Sequence, residues 1–204
     1  MVSPSQWRAL LPDRVAQDLL ARWAEPHRHY HSTQHLIDGL AALEQLGGGR
    51  LEQIAFWFHD AVHTNTTPAD EEASAVIARE SLDGWLPADD IDEVVRLVLL
   101  TAHHRPDAGD EAGARISDAD LSSLGAQWEV YRRNALGIRR ELPRLTDEQW
   151  RIGRSAFLRG FLQRERFYTT PLGARLWEAQ ARANLAHELR LLEDSSSGER
   201  GGDG

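Results

Sequence analysis

The sequence predicts an all-α protein, a helical bundle of about seven to eight helices. Three observations carry that expectation. Apolar residues recur at three- and four-residue spacing over most of the chain. No alternating run of Val, Ile, Thr and aromatics lies between glycine-type turns, as a strand would require. Helix starts are well marked. Ser3-Pro4, Thr67-Pro68 and Thr170-Pro171 each place a capping hydroxyl before a proline, and Thr146-Asp147-Glu148-Gln149 reads as a capping box.

The first helix is expected over 4–24, behind the Ser3-Pro4 cap. The second, 33–46, is broken from the third by Gly47-Gly48-Gly49. The third, 51–63, is the most informative. Leu51, Ile54, Ala55, Phe56, Trp57, Phe58, Ala61 and Val62 leave almost no polar face, the pattern of a buried helix. Set into it are His59 and Asp60, and a buried carboxylate beside an imidazole is costly unless it is paired or holds a metal. A fourth helix is expected over 68–82. The fifth, 88–104, repeats the design: Val94, Val95, Leu97, Val98, Leu99 and Leu100 run directly into Thr101-Ala102-His103-His104. Residues 105–117, with Pro106, Gly109 and Gly113, read as a polar loop of a length often used for function. Helices over 119–137, 147–165 and 171–193 complete one expected domain, 1–193. From Asp194 to Gly204 there is no apolar residue, and a disordered tail is expected.

Composition narrows the function. A net charge of −9 argues against broad contact with a nucleic-acid backbone. There is no Lys, so an anionic ligand must be met by Arg, His, a metal or backbone N–H groups. With no Cys, thiolate metal sites and disulfides are excluded. The first residues lack a signal-peptide pattern and no apolar run suits a membrane span, so a cytoplasmic protein is expected. The Arg residues of 132–166 are interleaved with Glu129, Glu141, Asp147, Glu148 and Glu165, as on a solvated helix face.

Four groups carry chemistry: Arg28-His29-Tyr30-His31-Ser32-Thr33-Gln34-His35, His59-Asp60, His103-His104, and Ser117-Asp118-Ala119-Asp120-Leu121. Singly, each has a plain structural explanation: a helix cap, a buried pair, a satisfied core histidine. Together, in one Cys-free helical chain, they point to a metal. Imidazole and carboxylate suit a divalent ion, with Mn, Co, Ni, Zn, Fe and Mg all open.

This ordered set resembles the HD superfamily of metal-dependent phosphohydrolases, and most nearly a bacterial branch of largely uncharacterised members. The residues that carry the resemblance are Arg28-His29-Tyr30-His31 through His35, Phe58-His59-Asp60, Asp70-Glu71-Glu72-Ala73-Ser74-Ala75, Thr101-Ala102-His103-His104, Asp118-Ala119-Asp120-Leu121, and Ala181-Arg182-Ala183-Asn184-Leu185 with Glu188. It spans about residues 26–188. One departure is Asp70, where that branch often has Asn.

The resemblance implies an HD-type helical bundle and metal ligands at His35, His59, Asp60 and Asp120. His35 is preferred to His31, and Asp120 to Asp118, because each leads into an apolar helix; His31 and Asp118 then become supporting groups. The implied reaction is hydrolysis of a phosphate mono- or diester, a nucleotide among the options. Arg28 is expected to clamp phosphate, and Glu71 (or Glu72) and His104 to act as base and acid. Two other functions compete: a ligand-binding or signalling module whose metal is structural, and a di-iron oxygenase drawing on His63, His103 and His104. Membrane and nucleic-acid partners are not expected, and the oligomeric state is open.

Overall fold

The computed structural model describes residues 10–198, and among these there is helix and no strand. The cap expected at Ser3-Pro4 and the tail beyond residue 198 lie outside the described residues. The order is α1 (Asp13–Trp23), α2 (Thr33–Gln45), α3 (Arg50–Phe58), α4 (Ala69–Leu82), α5 (Ala88–Leu100) and α6 (Glu111–Asp120). A 3-10 turn, Leu121–Gly125, follows, then α7 (Trp128–Glu141) and α8 (Asp147–Leu162). The last stretch is composite: α9 (Pro171–Gly173), a π-helical turn Ala174–Glu178, and α10 (Ala179–Gly198), which runs past the expected end at 193. No described helix is long and apolar enough to cross a membrane.

Two apolar cores hold these elements. The larger gathers α1 to α6 around Trp23, Leu36, Leu40, Phe56, Phe58, Leu97 and Ile116. The smaller joins α7, α8 and α10 around Tyr131, Leu158, Phe161, Tyr168 and Leu185. Trp177, in the π turn, packs against both. Burial of this much apolar surface, at roughly 25 cal/mol per Å², drives the assembly.

Helix α3 is buried on every side, as its composition requires: Ile54 through Phe58 are all at most 2% exposed. It stops at Phe58, short of the expected 63. Nearby side chains take the backbone groups that further turns would use. Arg28 donates to the carbonyls of Asp60 (2.7 Å) and Ala61 (3.3 Å), and Ser74 Oγ accepts from Val62 N–H (3.0 Å). Asp60 is thereby held in a turn just beyond the helix.

The expected loop over 105–117 is corrected: α6 begins at Glu111. Asp110 caps it by accepting from Gly113 N–H (2.9 Å), and Arg96 grips the same carboxylate. Ala114, Ile116 and Ala119 form its buried face. Small residues there disguised an apolar stripe. The single helix expected over 119–137 is in fact α6, the 3-10 turn and α7. Asn184 of α10 secures that break by donating to the carbonyls of Leu124 and Ala126, both at 2.8 Å. Of the caps, Thr146 with Gln149 and Thr170 with Gly173 act as expected. Thr67 does not cap α4; its hydroxyl donates to Glu71 Oε1 (2.9 Å).

Candidate metal centre

His35 enters from the first turn of α2, on the face that also buries Leu36. His59 terminates α3 and Asp60 follows it. Asp120 is the last residue of α6. The four expected ligands therefore come from three helices and converge. His35 Nε2 lies 2.9 Å from Asp120 Oδ1 and 4.0 Å from Asp60 Oδ2. His59 Nε2 lies 3.2 Å from Asp60 Oδ2 and 3.5 Å from Asp120 Oδ1.

The imidazole of His59 is oriented from behind: its Nδ1 bonds the Phe56 carbonyl oxygen at 2.9 Å. That contact puts a proton on Nδ1 and turns Nε2 toward the carboxylates, the orientation typical of a metal-binding histidine. The Nε2 atoms of His35 and His59 and Oδ2 of Asp60 are buried without a well-aligned hydrogen bond, despite these short separations. Buried polar atoms without partners call for an explanation, and a shared cation supplies one. His35, His59 and Asp120 form one group able to hold a metal ion. Electrostatics agrees with a site built for positive charge. Burial disfavours charge on His59, yet Asp60 and Asp120 outweigh it and hold its pKa well above the ordinary value. Burial likewise pushes both carboxyls up, and the imidazoles, His59 foremost, pull them below the usual range.

A second group able to hold a metal consists of His31, Asp60 and His63. The His31 and His63 rings lie 4.0 Å apart, and behind them sits Glu141, the last residue of α7. Its Oε2 bonds His31 Nδ1 (2.7 Å) and lies 3.4 Å from His63 Nε2. Its Oε1 accepts from the backbone N–H groups of His29, Tyr30 and His31. Despite burial, these donors hold the Glu141 carboxyl far below its ordinary pKa. Sequence reasoning placed Glu141 on a solvated face; no signal in its Arg-Arg-Glu-Leu neighbourhood marks it, because its partners lie about 110 positions away.

Arg28 does not face the chambers. Its guanidinium is fully buried and donates to the carbonyls of Asp60, Ala61 and His31 and to Glu25. It shapes the segment that carries Asp60 instead of presenting a fork to phosphate. Asp118 is also structural. Its carboxylate accepts from Thr169 N–H, Thr170 N–H and the Thr170 hydroxyl, anchoring the entry to α9.

His104 and Glu71 do reach the site. His104, with a positive φ of 51°, places Nε2 3.5 Å from Asp120 Oδ2. Burial pushes its pKa down. Glu71 Oε2 is buried and unpaired. Glu72 and His103 are exposed, so Glu71 and His104 are the members of each pair that face inward. A polar chamber of about 570 Å³ collects Glu71, His104, His59, Asp60, His63 and Asp120.

No family model, curated protein or solved structure matches this chain.

Proposed function

We propose that the protein is a metal-dependent phosphohydrolase, with His35, His59, Asp60 and Asp120 holding a divalent cation. The observation that carries this reading is the convergence of these four side chains, several of their atoms unpaired, with His59, Asp60 and Asp120 on the wall of a polar chamber. A donor set of imidazole and carboxylate without thiolate fits Mn, Fe, Co, Ni, Zn or Mg. Such an ion supplies Lewis acidity and makes water beside it easier to deprotonate.

The chain's own groups supply the rest. His59 Nε2 is oriented by the Phe56 carbonyl, and Asp60 is placed by Arg28. Glu71, whose Oε2 is buried and unpaired, and His104, both on the chamber wall, would act as proton acceptor for the attacking water and proton donor to the leaving oxygen. In the reaction, the water oxygen bonds to phosphorus, the ester P–O bond breaks, and a proton goes to the departing alcohol. An open chamber beside the ligands supports a reactive site over a purely structural one. The group of His31, Asp60 and His63 favours one second reading, a two-ion centre capable of oxygen chemistry. Equal activity with Mn, Co or Mg excludes that reading.

The test is metal content by mass spectrometry for wild type and Asp60→Ala, with phosphate release from mono- and diesters. At least one equivalent of a divalent metal and metal-dependent hydrolysis are expected, both lost in the variant. No metal after soaking with Mn, Co, Ni, Zn and Fe would overturn the reading and leave a helical binding module.

A further inference from the structure

A second chamber, of about 420 Å³, opens on the other side of the centre, between the 3-10 turn, α7 and α8. The two chambers share His31, His104, Asp120, Leu142 and Phe157, so the Asp120 edge of the candidate centre lies at their junction. Their characters differ sharply. The second is walled by Leu124, Ile138, Leu145, Trp150 and Phe161. Away from the candidate centre, several of the polar groups at its wall are already engaged. Arg154 is clamped by Glu188 (2.9 Å from both Nε and Nη2) and lies 3.3 Å from the Tyr131 hydroxyl. Ser123 Oγ bonds the Tyr30 hydroxyl at 2.6 Å, and Gln149 closes the capping box of α8. A nucleobase or sugar in this space would lose water from its hydrogen-bonding edges against a mostly apolar wall, which discriminates against such ligands. Phe157, at the junction, is 40% exposed, an aromatic surface that an apolar ligand would cover.

We propose that this chamber binds the hydrocarbon part of the substrate, so that the ester hydrolysed is the phosphate of an apolar alcohol. The proposal rests on the phosphohydrolase reading for its chemistry. Water oxygen bonds to phosphorus, the P–O bond to the alcohol breaks, and the alcohol takes up a proton and leaves through the apolar chamber. Binding in the chamber is measurable without turnover.

The probes are n-alkylphosphonates from butyl to octyl, which cannot be hydrolysed, titrated calorimetrically into the Mn-loaded full chain. Affinity is expected to rise about threefold to fourfold per methylene, on the order of a hundredfold across the series. Two variants test the location. Gly153 of α8 borders the chamber, and a Cβ there meets nothing within 4 Å, so Gly153→Leu fills space without a backbone clash. Phe157→Ser removes a half-exposed wall. In each, octylphosphonate is expected to weaken at least tenfold with helicity and metal content as in wild type, and in Gly153→Leu, which lies outside the polar chamber, methylphosphonate binding also stays as in wild type. A flat chain-length series, or octyl affinity unchanged in both variants, overturns the proposal. Turnover is read separately, with octyl phosphate expected to exceed AMP and a sugar phosphate. Chain-length-dependent binding with no hydrolysis of any ester leaves the chamber's assignment standing and removes the hydrolase reading. Hydrolysis of AMP with a flat phosphonate series does the reverse.

Discussion

Asp118 and Asp120 are two positions apart and of the same type, yet their surroundings give them opposite tasks. Asp120 faces His35, His59 and His104. Asp118 is spent on three donors from residues 169 and 170. Asp120→Ala is therefore expected to abolish metal binding while leaving the chain folded. Asp118→Ala is expected to retain the ligand set and cost about 2–4 kcal/mol by stranding buried donors. Denaturant unfolding paired with metal analysis separates the two. Asp70 makes a different prediction. Burial pushes its carboxyl up, but the Thr66 and Thr64 donors outweigh this and hold it below its ordinary value of 3.8. A depressed folded pKa contributes stability that is present above the unfolded value and lost as pH falls through the folded one. Asp70→Asn is expected to lose roughly 1–3 kcal/mol near pH 7, with the gap to wild type closing below about pH 3.8. Urea melts at several pH values check both the size and the sign.

At the scale of the helices, the centre depends on a close approach of α2 to α3. A Cβ placed on Gly39 would come within 2.0 Å of the Phe56 ring, which has no free space to move into. Phe56 in turn packs on the rings of His59 (4.3 Å) and His35 (5.8 Å), and its carbonyl orients His59. Gly39→Ala gains helix propensity worth under about 1 kcal/mol but meets this clash, so a net loss of about 1–3 kcal/mol is expected. Metal affinity should fall at the same time, because the ligands move with the ring. Thermal melts with and without metal test that coupling. Wild-type stability with unchanged metal affinity would show that α2 can shift at no cost.

Across the whole molecule, the candidate ligands bridge α2, the end of α3 and the end of α6, all of which bound the larger core. An ion bound only by the folded state adds RT ln(1 + [L]/Kd), about 4 kcal/mol at a thousandfold excess over Kd. For a chain of this size that corresponds to a Tm increase of roughly 8–16 °C on adding metal, absent in Asp60→Ala. The smaller core is stitched differently, by the nearly buried Arg154 held between Glu188 and Tyr131. Removing one partner of such a pair costs about 3–5 kcal/mol, so Glu188→Ala is expected to loosen α8 from α10 and the far wall of the apolar chamber. Hydrogen exchange confined to those helices would report it.

What the sequence alone determined is what repeats or sits close together along the chain. The 3.6-residue periodicity set the all-helical class, the unbroken apolar surface of Ile54 to Phe58 set the burial of α3, and the side chains of Thr146 and Thr170 set two helix starts. The motifs holding His35, His59, Asp60 and Asp120 could be picked out because each is a short run of neighbouring residues; that the four side chains meet was decided by the fold. The end of α3, the helix hidden in 111–120, the burial of Arg28 and the part played by Glu141 were decided only in three dimensions. In each case the partner is remote: Arg28 and Ser74 for residues 60–62, Leu100 and Arg96 for the start of α6, His31 and His63 for Glu141. A backbone or carboxylate group takes the best partner that folding brings to it, and periodicity carries no record of which one that is.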